Sequence, residues 1–314
     1  MGYLTERLDV SRLRSTAVGI VKQAKRNKAF EECRWIGMAV DGTGAGRSHE
    51  KKCDDCRPIK NDKEEIVGYH HKCVMISVVG TGLTLPLDVE PYGPGDSEYG
   101  AGQRLLRRTV KNLGARFANY VVVDGGFAKA PFLHAIGDMG LKVVARLKGN
   151  LPELYEAARR RFAAKPPDRT FRDGDDHVEI WDAEDFDPWE NLRWKTVRVL
   201  RYRQHKSDQT VEAYWLTDFS KSEAGSQAVY RMAKSRWEIE NEGFNDAKNR
   251  YGFEHICHHH PNSILINWLS IALTLTLERL YRIRYLHRGI HKVMEPITLL
   301  RLLWISLGRP PDTS

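Results

Sequence analysis

Tyr120-Val-Val-Val-Asp124-Gly-Gly126 is a continuous apolar run stopped by an aspartate and two glycines. A strand that faces water on one side alternates apolar and polar residues. An unbroken run belongs to a strand covered on both faces, at the centre of a sheet with helices above and below. Asp-Gly ends the strand in a turn and leaves a carboxylate at its C-terminal end. Ile36-Gly-Met-Ala-Val-Asp41-Gly-Thr43 repeats the pattern. Taken locally, Asp41 is as well explained as a turn residue; the repetition is what makes the two aspartates a candidate pair.

Outward from these strands the chain reads as an α/β fold. Lys72 to Val79 and Leu83 to Pro91 are β-branched, apolar runs joined by Gly80-Thr-Gly82, the pattern of a hairpin. Ala101 to Leu113 has Leu105, Leu106, Val110 and Leu113 at helical spacing, with Arg104, Arg107, Arg108 and Lys111 on a basic, exposed face. Pro131 to Met139 suits a short helix, Lys142 to Leu147 a strand, and Pro152 to Phe162 a helix. From Lys165 the composition turns acidic, and Trp194 to Arg203 and Val211 to Thr217 read as strands, so residues 165–220 form a β-rich insertion whose charge repels phosphates. The expected organisation is a short helical segment over 1–34, the first part of a core over 35–164, the insertion over 165–220, the remainder of the core over 221–260, and C-terminal helices over 261–314.

Composition bounds the partner. With 49 Lys+Arg against 41 Asp+Glu the net charge is +8 over 314 residues, which favours a polyanion, and nucleic acid is the leading candidate. No apolar signal segment opens the chain, which points to a cytoplasmic, nucleoid-associated protein. The uncharged run 262–277 is short for a membrane span and reads as a core helix. Five cysteines in a reducing compartment argue against a disulfide framework. The polar loop 44–73 carries Cys53-x-x-Cys56, a bite that tetrahedral zinc accepts, and His49 lies four residues before it. His71 is the choice for a fourth ligand to a structural Zn2+, with His70 and Cys73 as rivals. Incidental thiols in an exposed loop are the competing explanation. Cys257-His-His-His260 is taken as a polar loop, because four adjacent residues cannot all converge on one ion.

The stretch Arg236-Trp-Glu-Ile-Glu-Asn-Glu-Gly-Phe-Asn-Asp-Ala-Lys-Asn-Arg-Tyr251 reads as a helix crowded with charge. At about 100° per residue Glu238 and Glu242 share one face and Arg236 and Glu240 another. By itself this suits a solvated helix laced with ion pairs. Two strand-end aspartates and a glutamate on a basic helix are also what two-metal phosphoryl chemistry needs, with ions roughly 3.5–4 Å apart.

These motifs resemble the DDE transposases of bacterial insertion sequences, of the insertion-sequence-four type. The likeness runs over about residues 33–285 and rests on Val-Asp41-Gly-Thr, on Val-Val-Asp124-Gly-Gly-Phe-Ala-Lys with Val-Val-Ala-Arg-Leu-Lys148, and on Arg236-Trp-Glu-Ile-Glu240. The resemblance implies a ribonuclease-H-like catalytic domain, with a mixed sheet flanked by helices and a β-rich insertion before the glutamate helix. It implies two Mg2+ or Mn2+ ions on Asp41, Asp124 and Glu240, DNA phosphates gripped by Arg236 and Lys248, and Trp237 stacked on a displaced base. It implies cleavage and strand transfer on double-stranded DNA by a homodimer. A nuclease of the same fold and a non-catalytic, transposase-derived DNA-binding inhibitor are the alternatives. Three departures stand out. The family's lysine falls seven residues after the glutamate, where this chain has Ala247 and places Lys248 next. Its tyrosine falls three before the arginine, where this chain has Ala233, with Tyr230 one turn earlier. Its N-terminal DNA-recognition domain is represented by only the forty residues before Asp41, which suggests a truncated or split product.

Overall fold

The structure is a computed structural model that describes residues 5–30, 32–50, 52–256 and 258–286, with positions 298, 301, 305 and 308. The tail 310–314, and all of the stretch 299–307 except positions 301 and 305, lie outside them. In chain order the elements are α1 (Val10–Arg26), β1 (Gly37–Ser48), β2 (Arg57–Lys60), β3 (Ile66–Val79), β4 (Leu85–Tyr92), α2 (Glu98–Leu113), β5 (Tyr120–Val123), α3 (Ala130–Asp138), β6 (Lys142–Leu147) and α4 (Pro152–Ala163). Then come β7 (Arg169–Asp173), β8 (Asp176–Phe186), β9 (Val197–His205), β10 (Thr210–Thr217), α5 (Ser226–Lys234), a composite helix over 236–251, and α8 (Pro261–Tyr281).

One mixed sheet organises the described residues, in the order β2-β3-β1-β5-β6-β10-β9-β8-β7, with β4 also paired to β3. β1, β5 and β6 run parallel at its centre, and β3 and β10 flank them antiparallel. The strands of 169–217 continue this sheet through β6–β10 pairing instead of standing apart from it. As the unbroken run Tyr120–Val123 requires, both faces of β5 are buried. Val121 and Val123 pack with Leu105, Leu106 (α2), Phe132 (α3) and Phe162 (α4), while Tyr120 and Val122 pack with Val229 (α5), Ile239 and Trp268 (α8). Full burial of each such side chain contributes about 1.5–3 kcal/mol.

Helix α8 has the length and composition of a membrane span, yet its apolar stretch is largely buried on β4: Trp268 and Leu275 are fully covered and Thr276 Oγ1 donates to the Pro86 carbonyl at 2.6 Å. In the acidic region, Asp182 takes both ends of the Arg198 guanidinium at 2.9 and 2.6 Å in the interior. Part of the acidity therefore balances buried arginine.

Candidate active site

The sheet register sets the two aspartates side by side. β1 and β5 are parallel and their last pair is Val40 with Val123, so Asp41 and Asp124 follow side by side where that pairing ends; β5 stops there, but β1 does not turn at Asp41-Gly42 as the sequence suggested and runs on to Ser48 paired with β3. The end of a parallel strand pair is where ligands collect, and here β5 stops and turns beside the continuing β1. Gly125 opens the turn after Asp124, whereas Gly42 stays within the extended β1. Gly42 also has Glu98 against it: a Cβ there would come within 2.4 Å of the Glu98 carboxyl carbon. Glu98, in the first turn of α2, accepts from the Tyr92 hydroxyl at 3.2 Å. It is a fourth carboxylate beside Asp41, and nothing in the sequence marked it beyond an acid after the N-cap Ser97.

Glu240 comes from the helix that follows α5. The composite helix is α-helical over Arg236–Glu238 (α6), π-helical over Ile239–Phe244, and α-helical again over Asn245–Tyr251 (α7). Arg236 lies between the acids. Its Nη1 donates to Asp41 Oδ2 at 3.1 Å and its Nη2 to Glu240 Oε1 at 2.8 Å. Arg236 is 8% exposed, and its guanidinium is paired with two carboxylates of its own chain. Burial pushes the Asp41 carboxyl up to about 6, against the pull of Arg236 and the Gly42 N–H, with Glu240 and Glu98 adding to the rise. Burial also works to raise Asp124, but the Gly125 N–H and Lys148 outweigh it and hold that carboxyl below its ordinary value. The Lys148 ammonium is 3.1 Å from Asp124 Oδ1, outside hydrogen-bonding direction, so this buried oxygen keeps a free lone pair.

The π-helical turn changes the direction in which Lys248 leaves the helix. The Asn245 N–H bonds to the Glu240 carbonyl, five residues back, so the turn holds one residue more than an α-turn. On a regular helix Lys248 lies about 80° round from Glu240; the added residue takes back about 100°. Lys248 therefore holds the direction that position 247 would have had, and Ala247 is buried. Lys248 Nζ meets Glu254 at 3.1 Å. Arg279 of α8 braces the turn by donating to the Glu242 and Thr84 carbonyls and by pairing with Asp246 at 2.9 Å.

Residues 36–277 match the family described as Transposase DDE domain. The chain belongs to that family. A piggyBac transposase, solved as a synaptic complex with hairpin DNA, shares the fold at 15% identity and a TM-score of 0.50, over 88% of this chain and 55% of that one. The chain thus spans about half the length of that transposase. Comparison with curated proteins finds no match. The fold of this transposase domain is the ribonuclease-H-like mixed sheet.

Several side chains in the transposase domain stand differently from the sequence-based expectation. Glu238 and Glu242 do share the face opposite Glu240, but Glu238 is not solvated: the Gly80 N–H donates to it at 2.9 Å, and Thr84 Oγ1 donates to Glu242 at 2.9 Å. Burial pushes Glu238 up to about 7, opposed by the Gly80 hydrogen bond and assisted by Glu242. On α2, Arg104 pairs with Glu90 and Asp96 at 2.9 and 2.5 Å, and Arg108 with Asp88 and Glu90 at 2.8 and 2.7 Å. The face thought free for phosphate is largely neutralised by β4 and the turn after it, which local sequence cannot show. Arg107 is exposed. Trp237 is half-buried, edge-on to Trp215 at 5.9 Å with Arg236 over its ring at 5.4 Å. Tyr230 donates to Asp173 at 2.8 Å, away from the carboxylates.

Of the residues assigned to the thiol site, Cys53, Cys56 and His71 come together and His49 does not: it is exposed, with Nδ1 2.9 Å from the Val67 carbonyl. His70 is turned toward Gly44, since neighbours alternate across a strand. Cys73 is fully buried in the sheet. His259, from the segment set aside as a polar loop, completes the group. Only one of those adjacent histidines is needed, so the objection that four cannot converge does not apply.

Proposed function

We propose that this chain cuts DNA strands at transposon ends and joins the freed 3′-hydroxyl to another phosphodiester, with Asp41, Asp124 and Glu240 as the catalytic carboxylates. The observation that carries the reading is the Arg236 guanidinium set between Asp41 and Glu240: the site is built to hold positive charge between its acids. The donor set fits hard divalent cations, all oxygen, with one buried Asp124 oxygen left without a hydrogen bond. Mg2+ or Mn2+ held by these three residues supplies positive charge for the attacking and the leaving oxygen.

The remaining work falls to the protein. Asp41 and Asp124 are fixed by adjacent strands, so their spacing does not depend on a mobile loop. Glu240 rides on a helix whose π-turn is braced by Arg279, which fixes its direction. Arg236, paired with Asp41 and Glu240, orients Glu240 and would set its positive charge beside a scissile phosphate. The exposed Lys148, with Lys248 and Arg107, supplies phosphate contacts, and the half-buried edge of Trp237 a surface for a base.

The piggyBac protein was captured on hairpin DNA in a synaptic complex, which supports duplex ends as the substrate and two copies of the chain acting together on them. The test is a supercoiled plasmid carrying the sequences that border the gene, incubated with the protein and Mg2+ or Mn2+. Joined products support the proposal. Nicks without joining make the chain a nuclease, and binding without cleavage makes it an inhibitor.

A further inference from the structure

We propose that Cys53, Cys56, His71 and His259 form a tetrahedral structural zinc site that fastens the segment before α8 to the β2–β3 edge of the sheet. The side-chain spacing carries the argument. Zinc bonds of about 2.3 Å to sulfur and 2.0–2.1 Å to nitrogen, arranged tetrahedrally, require ligand separations of about 3.8 Å (S–S), 3.6 Å (S–N) and 3.4 Å (N–N). The observed separations are 3.6 Å between the Cys53 and Cys56 sulfurs, 3.7 and 3.3 Å from these sulfurs to His71 Nε2, and 3.4 Å from His71 Nε2 to His259 Nδ1. All four ligand atoms fall within 4.8 Å of one another. Four edges of the polyhedron thus match one ion, whereas hydrogen bonding alone does not require sulfur and imidazole nitrogen to converge on one point.

Charge and burial agree. Two thiolates and two neutral imidazoles around Zn2+ sum to zero, which suits a site where Cys56 and His71 are buried. The Cys53 N–H points at Cys56 Sγ at 3.4 Å, a donor placed to stabilise a thiolate. Ile256 also approaches the sheet closely: Gly46 of β1 lies so near it that a Cβ there would be 2.0 Å from its Cγ1. His71 pairs across to Ala45, four residues along β1 from Asp41. The metal would therefore close a loop between residues 71 and 259 and tie the strand next to the catalytic aspartate to the chain leaving the Glu240 helix.

The experiment is metal analysis of the full chain purified without chelator, comparing wild type with Cys53→Ser, His259→Ala and His49→Ala, each checked for folding by circular dichroism. About one zinc per chain is expected in wild type and His49→Ala. Cys53→Ser and His259→Ala are expected to lose zinc to a chromophoric chelator that leaves the wild type loaded. Because these variants can fail to fold, cobalt titration of metal-stripped wild type is the second measurement, and one equivalent should develop tetrahedral and thiolate charge-transfer bands. Chelation should expose the 252–260 segment to limited proteolysis. Less than about 0.2 zinc per chain together with no tetrahedral cobalt spectrum, zinc retained by His259→Ala but lost by His49→Ala, or a Cys53–Cys56 disulfide in the purified chain would each overturn the proposal.

Discussion

Arg236 Nη1 lies 3.1 Å from Asp41 Oδ2, so the base that opens the glutamate helix is bonded to an aspartate of a central strand 195 residues earlier. Its other terminal nitrogen holds Glu240. Removing this cation leaves a carboxylate buried beside others of its own charge. Arg236→Ala should lower stability by roughly 1–3 kcal/mol, below the 3–5 kcal/mol typical of a fully buried pair, because Glu240 is partly exposed. If cations share this position, millimolar Mg2+ should raise the melting temperature of Arg236→Ala more than that of wild type. Equal shifts would show that the guanidinium and the metal do not answer the same charge.

The three helix carboxylates should separate in function. Glu240→Gln keeps shape but removes charge from the cation site, and Mg2+-dependent cleavage should fall on the order of a hundredfold or more while DNA binding persists. Glu242→Gln, on an exposed side chain, should stay within about threefold of wild type. Parallel cleavage and binding assays decide, and an inactive Glu242→Gln beside an active Glu240→Gln would mean the helix register is wrong.

Glu238 supplies a pH signature. Its folded value of about 7 exceeds the ordinary 4.5, so between these values the folded chain binds the extra proton and stability falls as pH rises. The contribution is complete below about 4.5 and is lost through about 7. Glu238→Gln should flatten that part of the stability curve by on the order of 1–3 kcal/mol and stand most favourably against wild type near pH 8. Denaturant unfolding at several pH values measures it. Parallel curves for the two proteins would place the Glu238 carboxylate in water.

Gly42 is a steric test of Glu98. An added methyl would meet the Glu98 carboxyl at 2.4 Å, beside Asp41. Gly42→Ala should therefore impair cleavage, and Gly42→Ala/Glu98→Ala should recover stability relative to the single variant. Failure of the double variant to recover would show that the strand, and not the carboxylate, resists the methyl.

DNA contact on α2 should be modest. Arg104 and Arg108 already answer Glu90, Asp96 and Asp88, which leaves Arg107 as the residue on this face best placed for phosphate. A triple alanine change at 104, 107 and 108 should lower the log–log salt slope of duplex binding by about 0.9, the value for one phosphate. A drop near three times that would mean the internal pairs open on DNA.

The sequence by itself determined the α/β class, the central strands that carry Asp41 and Asp124, the helix with Glu240 set opposite Glu238 and Glu242, and the Cys-x-x-Cys bite; it misplaced the end of the Asp41 strand, which pairing with β3 extends to Ser48. These are local properties: apolar runs, glycine turns and helical angle are written in neighbouring residues. Only the tertiary structure decided what each charge and ligand meets. It set His259, 188 residues from His71, beside the Cys-x-x-Cys pair where His49 was expected, and turned Arg236 inward. It paired Arg104 and Arg108 with acids of β4 and the turn after it, brought Glu98 to Asp41, and shifted the direction of Lys248 through a π-turn braced by Arg279. Pairing of charges and convergence of ligands depend on distances between elements far apart in the chain, and those are set when the two faces of the sheet are packed.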